Sequence, residues 1–288
     1  MTSFLLVIYY NSNNSNYSGI ITIITNRLGD IGIILSIYLL FHIGTIDIVI
    51  SNARIELFNL FFILIIFGIF TKRAQFPFIR WLPLAMAAPT PIRALVHSST
   101  LVTSGVYLII RYHFLNLNQN NFNYNLILLV LLTLIISNLS ALRELDIKKI
   151  IAFSTLSQLA LIIIITIIGQ ELISFFHIIT HALFKAVLFL CSGIFIHNFC
   201  NNQDIRNYPI SLKINIFTVS IFIVCSLSLM GFPYLRGFYS KDLILEIIYI
   251  INYNILILLI IIFSTLLTSL YSLRLIYYRF LLGKKGFT

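Results

Sequence analysis

The chain has 288 residues, of which 59% are hydrophobic and only 10% are charged, and its formal net charge is +10. A soluble domain carries about 25% charged residues, so this composition excludes an ordinary soluble domain. Apolar runs of about 20 residues, long enough to cross a bilayer, recur along the sequence. Runs such as LIIIITII do not alternate as barrel strands would. The sequence therefore predicts an all-α polytopic membrane protein.

About eight transmembrane helices are predicted in chain order. The tail of a preceding helix and a polar loop come first, at 1–16, and a short tail closes the chain at 282–288. The predicted helices are 17–42, 57–81, 90–113, 122–142, 148–168, 171–198, 211–251 and 254–281.

Two of these predicted helices are interrupted by proline. Lys72 precedes Pro77 in GIFTKRAQFPFIRWLP, and Pro233 precedes Lys241 in LMGFPYLRGFYSKDLI. A helix break within a membrane survives only where protein or water satisfies the freed backbone groups. Two simple kinks, with lysines that reach the interface, are the alternative. The pair of breaks favours a transporter-type inverted repeat, with part of a first half at 17–113 and a second half at 114–281.

The loops on one side of the predicted bundle are positive. By the positive-inside rule they, and both chain termini, are expected on the side equivalent to the cytoplasm. The charges are scattered among short loops, which favours lipid contact and topology over nucleic-acid binding. The positive loop residues are Arg143, Lys148, Lys149, Arg206, Lys213, Lys284 and Lys285.

Ionisable residues inside predicted helices are candidates for function, because burying a charge in a membrane is costly. In HIITHALFK, residues His177, His181 and Lys185 recur every four positions and so share one helix face. Histidine and a desolvated lysine can both exchange protons near neutral pH, so these groups, with water between them, suit a proton relay. The other candidates within predicted helices are Asp30, Lys72, His97 and Lys241.

Simpler structural roles stay open for several of these residues. His97 can hydrogen-bond its neighbour Ser98, and Asp30 can pair with Arg27, one helical turn away. Such a pairing does not prevent Asp30 from also influencing a lysine. The Asp242 carboxylate, next to Lys241 in the sequence, can bias proton exchange by proximity.

Lys148 and Lys149 are secondary candidates, which either form a solvated helix start or point inward. A metal site at His177 and His181 is disfavoured, because no third ligand is evident and Lys185 would repel a cation. The chain has three cysteines without a CxxC pair and no Gly-rich phosphate loop. We therefore expect no metal, iron–sulfur cluster or nucleotide to be bound by this chain itself.

Several motifs resemble the antiporter-like chain 5 family of mitochondrial NADH–ubiquinone oxidoreductase, of invertebrate, insect-like type. They are TKRAQFPFIRWLPLAMAAPTPIRALVHSST, LDIKKIIAFSTLSQLALI, FFHIITHALFKAVLFLCSGIFIHN and GFYSKDLILE. The resemblance covers nearly the whole chain, and subunits of bacterial cation/proton antiporters share much of it. Compared with the family pattern the sequence lacks segments at both ends, including the helix whose glutamate pairs with the lysine at position 72.

The resemblance implies a role for each candidate in proton translocation. Lys72 resembles the central lysine of the first half-channel, and Asp30 the acid near its entrance. His97 resembles the histidine that bridges the two half-channels. In the second half-channel, residues His177, His181 and Lys185 resemble the linking relay of the family. Lys241 resembles the terminal lysine of that half-channel.

The same resemblance implies where the protein works and with what. NADH, FMN, iron–sulfur clusters and ubiquinone would be bound by partner subunits and none by this chain. The partners would be the other membrane-arm subunits and phospholipid, including cardiolipin, in the mitochondrial inner membrane, with both termini on the matrix side. Two alternatives remain: a subunit of a multisubunit sodium/proton antiporter, and an inactive fragment or pseudogene product.

The arginines of this sequence are unusual for a membrane interior. Arg73, Arg80 and Arg93 lie in a stretch without acidic residues, although each arginine at a helix centre costs about 2.5–3.5 kcal/mol. In the resembled family these three positions are typically serine. Position 236, occupied here by Arg236, is often serine as well, and serine is also considered for position 143. The chain also has 56 isoleucines against 3 methionines.

One cause would explain the arginines and the isoleucines together. The invertebrate mitochondrial code reads AGA as serine, ATA as methionine and TGA as tryptophan. Translation with the standard code would turn these codons into arginine, isoleucine and stop. We therefore hypothesise that the natural protein has serine at 73, 80 and 93. The alternative is a genuine lineage-specific set of arginines.

Overall fold

A computed structural model describes residues 2–10, 12–45, 51–92, 94, 100–112, 120–199, 202–207, 216–250 and 255–280. Within these residues the regular elements are α-helices and short 3-10 turns. The helices are α1 (Thr2–Val7), α2 (Asn13–Thr45), α3 (Ser51–Lys72), α4 (Trp81–Leu84), α5 (Thr90–Ile92), α6 (Leu101–Tyr112), α7 (Asn120–Arg143), α8 (Ile147–Ile168), α9 (Glu171–Asn198), α10 (Ile216–Met230), α11 (Arg236–Ile250) and α12 (Ile255–Phe280).

The predicted all-α membrane architecture is confirmed. Among the described residues, 5 helices are long and apolar enough to cross a membrane. They lie in α2, α7, α8, α9 and α12, and the last four of these begin and end close to the predicted boundaries. The chain is therefore a multi-pass membrane protein.

Both predicted interruptions are present. The helix predicted at 57–81 ends at Lys72, because Pro77 cannot donate a backbone hydrogen bond and restricts the residue before it. Ala74 adopts a left-handed conformation with φ 55° at the break. The predicted 211–251 helix divides into α10 and α11. The predicted 90–113 helix is described only as α5 and α6, and 95–99 lie outside the described residues.

Helix α8 lies at the centre of the bundle. Every residue from Ile150 to Ile167 is buried, as expected for a helix that is apolar on all sides. It packs against α7, α9 and α6, and α9 in turn packs against α10 and α11. The few polar side chains of α8 therefore point into protein and not toward lipid.

The backbone groups freed at the two breaks find partners within the protein. At the first break, Trp81 Nε1 donates a 2.8 Å hydrogen bond to the Thr71 carbonyl, and the backbone N–H of Gln75 donates to the Phe70 carbonyl at 3.0 Å. At the second break, the Lys241 ammonium donates to the Leu229 carbonyl. These partners let both breaks persist inside an apolar bundle.

Candidate proton-relay site

Helix α9 carries His177, His181 and Lys185 on one face, and all three side chains are fully buried. The opposite face is apolar and exposed, with Leu172 86% and Leu183 51% accessible. The prediction that the three polar groups share one face is thus confirmed. The imidazole centroids of His177 and His181 are 6.3 Å apart, so the groups follow one another along the helix.

The two ends of this row contact different helices. His177 Nδ1 lies 2.8 Å from Ser240 Oγ on α11, and the Lys185 ammonium donates to Ser154 Oγ on α8. Between them, neither ring nitrogen of His181 has a hydrogen-bond partner among the described residues. The second ring nitrogen of His177 also lacks one. The row is therefore anchored at both ends and open to a further polar ligand in its middle.

Lys241 joins the same cluster from α11. Its side chain is 7% exposed, and its ammonium contacts a carbonyl of the last turn of α10, where the helix dipole is negative. Lys241 lies within electrostatic range of His177, His181 and Lys185. The fold therefore assembles four basic groups that the sequence places on two separate elements. Because like charges repel at short range, a proton added to one member makes protonation of the others less favourable.

A second charged group lies at the first break. Lys72 Nζ is 2.8 Å from Asp30 Oδ1 on α2, and Arg27 is 3.8 Å from the same carboxylate. Gly29 allows this approach, because a Cβ at that position would lie 2.1 Å from Thr71 Oγ1. Lys72 thus has an acidic partner within this chain. The predicted Arg27–Asp30 pair also forms.

The sequence and the fold both match known proteins. The family model described as "NADH:quinone oxidoreductase/Mrp antiporter, TM" matches residues 1–276. The chain belongs to this antiporter-like family. It is 47% identical over 284 residues to NADH-ubiquinone oxidoreductase chain 5 of Locusta migratoria, covering 96% of this chain and 49% of the relative. The chain 5 protein of Lumbricus terrestris is 44% identical over 275 residues, covering 95% of this chain and 48% of the relative. The chain thus spans about half the length of these relatives.

Two solved structures show the same fold. The Mrp complex from Dietzia sp. DQ12-45-1b matches with a TM-score of 0.83 and 26% identity, over 98% of this chain and 32% of that one. The membrane-bound sulfane sulfur reductase, an archaeal respiratory membrane complex, matches with a TM-score of 0.86 over 99% of this chain and 61% of that one. Its identity is 23%, so this second match supports the fold alone.

Among the described residues, the contacts that form the cluster do not include the three secondary candidates, Lys148, Lys149 and Asp242. Lys149 Nζ lies 2.9 Å from Asp146 and 3.9 Å from Glu144, which supports a helix-start ion pair. Lys148 lines a partly open cavity near the same helix start. Asp242 makes no ion pair with Lys241 within the described part of the chain, since neighbouring helical residues point about 100° apart. His97 lies outside the described residues, so its bridging role stays a prediction.

Several polar contacts of the cluster were not singled out from the sequence. Ser154 and Ser240 receive the ends of the row, and Gln158 and Tyr271 are buried nearby. The only sequence signal for them was the polar spacing of Ser154 and Gln158, four residues apart in an apolar helix. The serines and tyrosine are too common in this chain to stand out.

Several arginines stand at positions where serine was hypothesised or considered. Among those that the structure describes, only Arg73 is buried. Its side chain is 0% exposed, and all three guanidinium nitrogens lack a hydrogen-bond partner within the described residues. Arg80, Arg143 and Arg236 are exposed, and Arg93 lies outside the described residues. A buried, unpaired guanidinium is strongly unfavourable, which supports the serine hypothesis at position 73 in particular.

Proposed function

We propose that this chain forms part of the proton-translocating membrane subunit of a NADH:ubiquinone oxidoreductase. The observation that carries the proposal is the buried cluster of His177, His181, Lys185 and Lys241 within a multi-pass member of the antiporter-like family. A buried row of ionisable groups in a membrane protein is expensive and is typical of proton relays. The coupling to NADH oxidation and ubiquinone reduction is inferred from the name of the relatives, NADH-ubiquinone oxidoreductase chain 5.

The cluster can move a proton along α9 because each member can gain and release one. An imidazole accepts a proton at one nitrogen and releases another from its second nitrogen, and His181 has both nitrogens free of other described partners. Lys185 continues the row beyond His181, and Lys241 lies within electrostatic range of all three groups, so both lysines can hold the proton in turn. Repulsion among the four groups limits how many protons they hold together, so a charge arriving nearby drives one out.

The Lys72–Asp30 pair is proposed as the control point of the other half. When the pair is closed, the carboxylate stabilises the lysine charge. When Asp30 turns toward Arg27, which lies on its other side, the lysine loses that stabilisation. A change in this local charge offers a way to couple proton movement to events elsewhere in the complex.

The proposal extends to location, partners and cofactors. NADH, FMN, iron–sulfur clusters and ubiquinone would be bound by partner subunits. The chain would lie among other membrane-arm subunits of the mitochondrial inner membrane, with the positive loops and both termini facing the matrix. Phospholipid, including cardiolipin, would contact the positive loops.

A subunit of a multisubunit sodium/proton antiporter is the second candidate. The structural match to the Mrp complex favours it, because the fold is shared. Purification of the complex that contains this chain separates the two candidates. Bound flavin and iron–sulfur clusters would support the oxidoreductase, whereas their absence together with sodium-dependent proton exchange would support the antiporter.

The relay itself is tested by Lys241→Ala in the assembled complex, reconstituted into vesicles. We expect fewer protons pumped per electron while the amount of assembled complex changes little. Lys149→Ala is the matched control, because Lys149 is half exposed and paired at a helix start. Unchanged pumping in Lys241→Ala would refute a role for the cluster.

A further inference from the structure

A polar cluster next to Lys185 has no role in the relay described above. Tyr271 on α12 is 1% exposed and Gln158 on α8 is fully buried. The Tyr271 hydroxyl lies beside the side chains of Ser154, Ser157 and Gln158. Among the described residues, neither the Tyr271 hydroxyl nor either amide atom of Gln158 completes a hydrogen bond of ordinary geometry. Buried polar groups are rarely left without partners, so this cluster calls for a ligand.

The serines of the cluster are limited in what they can offer. Ser154 donates its hydroxyl hydrogen to the Ile151 carbonyl at 2.7 Å, and Ser157 donates to the Ser154 carbonyl at 3.0 Å. Their oxygens can therefore only accept toward the cluster. Lys185 uses the oxygen of Ser154, but an ammonium carries three donors. A protonated Lys185 therefore has donors without an acceptor, and Tyr271 and Gln158 have oxygens that accept no hydrogen bond from the described residues.

The position of Tyr271 is fixed by its own helix. Arg274, one turn further along α12, donates to the carbonyls of Leu142 and Glu144 at the end of α7. Helix α12 also packs against α7 and α10. This packing fixes the Tyr271 ring, whose hydroxyl lies beside the α8 side chains of Ser154, Ser157 and Gln158. The hydroxyl hydrogen remains adjustable, since it rotates to suit its partner.

We propose that Tyr271 and Gln158 are positioning residues that stabilise the protonated form of Lys185, by accepting hydrogen bonds from its ammonium through one water molecule. This inference rests on the proposed function, because it assigns further hydrogen-bond acceptors, besides Ser154, to a lysine of the relay. Within the described part of the chain, the titratable groups that interact with Lys185 or with its partner Ser154 are His181 on α9, Lys241 on α11 and Tyr271 on α12. The two basic groups oppose the charge of Lys185, so acceptors on the α8–α12 side are what favour it.

The test uses Tyr271→Phe in the assembled complex, with proton pumping measured in vesicles from pH 6 to 10, a range around the ordinary ionisation of histidine and lysine. Loss of the hydroxyl makes the charged lysine less favourable, so the alkaline limb of the pumping profile should move down by about one pH unit, the equivalent of one charge-assisted hydrogen bond. Gln158→Leu should move it in the same direction. Tyr277→Phe, on the same helix but 48% exposed, should leave the profile in place.

The possible outcomes distinguish the inference from the function on which it rests. A lower pumping rate at every pH without a shift of the limb would reduce Tyr271 to a packing role and overturn the inference, as would an unchanged profile in both variants. Lys185→Ala provides the second arm. If it pumps normally, the proposed relay fails at this lysine; if it does not pump while Tyr271→Phe behaves as wild type, only the positioning role fails.

Discussion

Lys72 Nζ and Asp30 Oδ1 lie 2.8 Å apart, across the contact between α3 and α2. The lysine is the last residue of α3 before the first break, and the aspartate follows a glycine that lets the two helices touch. The ion pair therefore joins α2 to the end of the helix that breaks.

Asp30→Asn should reduce proton pumping while leaving assembly nearly intact. The pair is partly exposed, with 23% and 36% of the two side chains accessible, so its loss should cost only about 0–1 kcal/mol of stability. Its electrostatic effect on Lys72 should disappear entirely. Pumping in vesicles and the yield of complex on native gels measure the two effects. Arg27→Gln is the control, because Arg27 is more distant from the carboxylate; equal losses in both variants would argue against a special role for the Lys72 pair.

Gly237→Ala should destabilise the second break. A Cβ at this position would lie 1.7 Å from the carbonyl oxygen of Ser228, and a backbone atom cannot move aside as a flexible side chain would. Helices α10 and α11 would be pushed apart, and Ser240 and Lys241 would move with α11. We expect a lower thermal midpoint and less assembled complex. Leu243→Ala on the exposed side of the same helix should have a much smaller effect, and equal effects would contradict the close-contact explanation.

Arg73→Ser should stabilise the chain. It removes a fully buried guanidinium without hydrogen-bond partners in the described structure, and an uncompensated buried charge costs several kcal/mol. Arg80→Ser, at an exposed position of the same break, should be nearly neutral. Thermal unfolding of the two variants in detergent measures the difference.

The protein isolated from its organism should have serine at position 73. Tandem mass spectrometry of peptides across the first break tests this directly. A tryptic peptide that ends at Arg73, or a CGN codon at that position, would establish a genuine arginine and defeat the hypothesis.

His181→Ala and Lys185→Ala should be strongly non-additive. The two residues are neighbours in one buried row and interact electrostatically, and groups that act as a unit lose most of their function with the first substitution. The double variant should therefore pump about as poorly as the worse single variant. The measurement is the number of protons pumped per electron in the wild type, the two single variants and the double variant, which together form a double-mutant cycle. Two independent losses that simply multiply would indicate separate roles.

The sequence was sufficient for features that depend on local pattern. Apolar length specifies a membrane-crossing helix, and α7, α8, α9 and α12 follow the predicted ranges closely. The four-residue spacing of His177, His181 and Lys185 specifies a shared face whatever the helix packs against. Proline specifies a break. What the pattern could not specify is how far before the proline the helix stops: α3 ends at Lys72, five residues before Pro77.

Only the tertiary structure decided which groups meet. Lys241 reaches the row on α9 because α11 folds back against it after the break, and Ser154 receives Lys185 because α8 is buried against α9. Asp30 has Arg27 within one turn of its own helix, yet it lies closer to Lys72, from a different helix. Helical periodicity sets the direction of a side chain about its own axis, but the rotation and depth of one helix against another depend on packing. Contacts between helices far apart in sequence therefore leave no local signal, and the polar cluster of Tyr271 and Gln158 becomes visible only once α12 and α8 are in place.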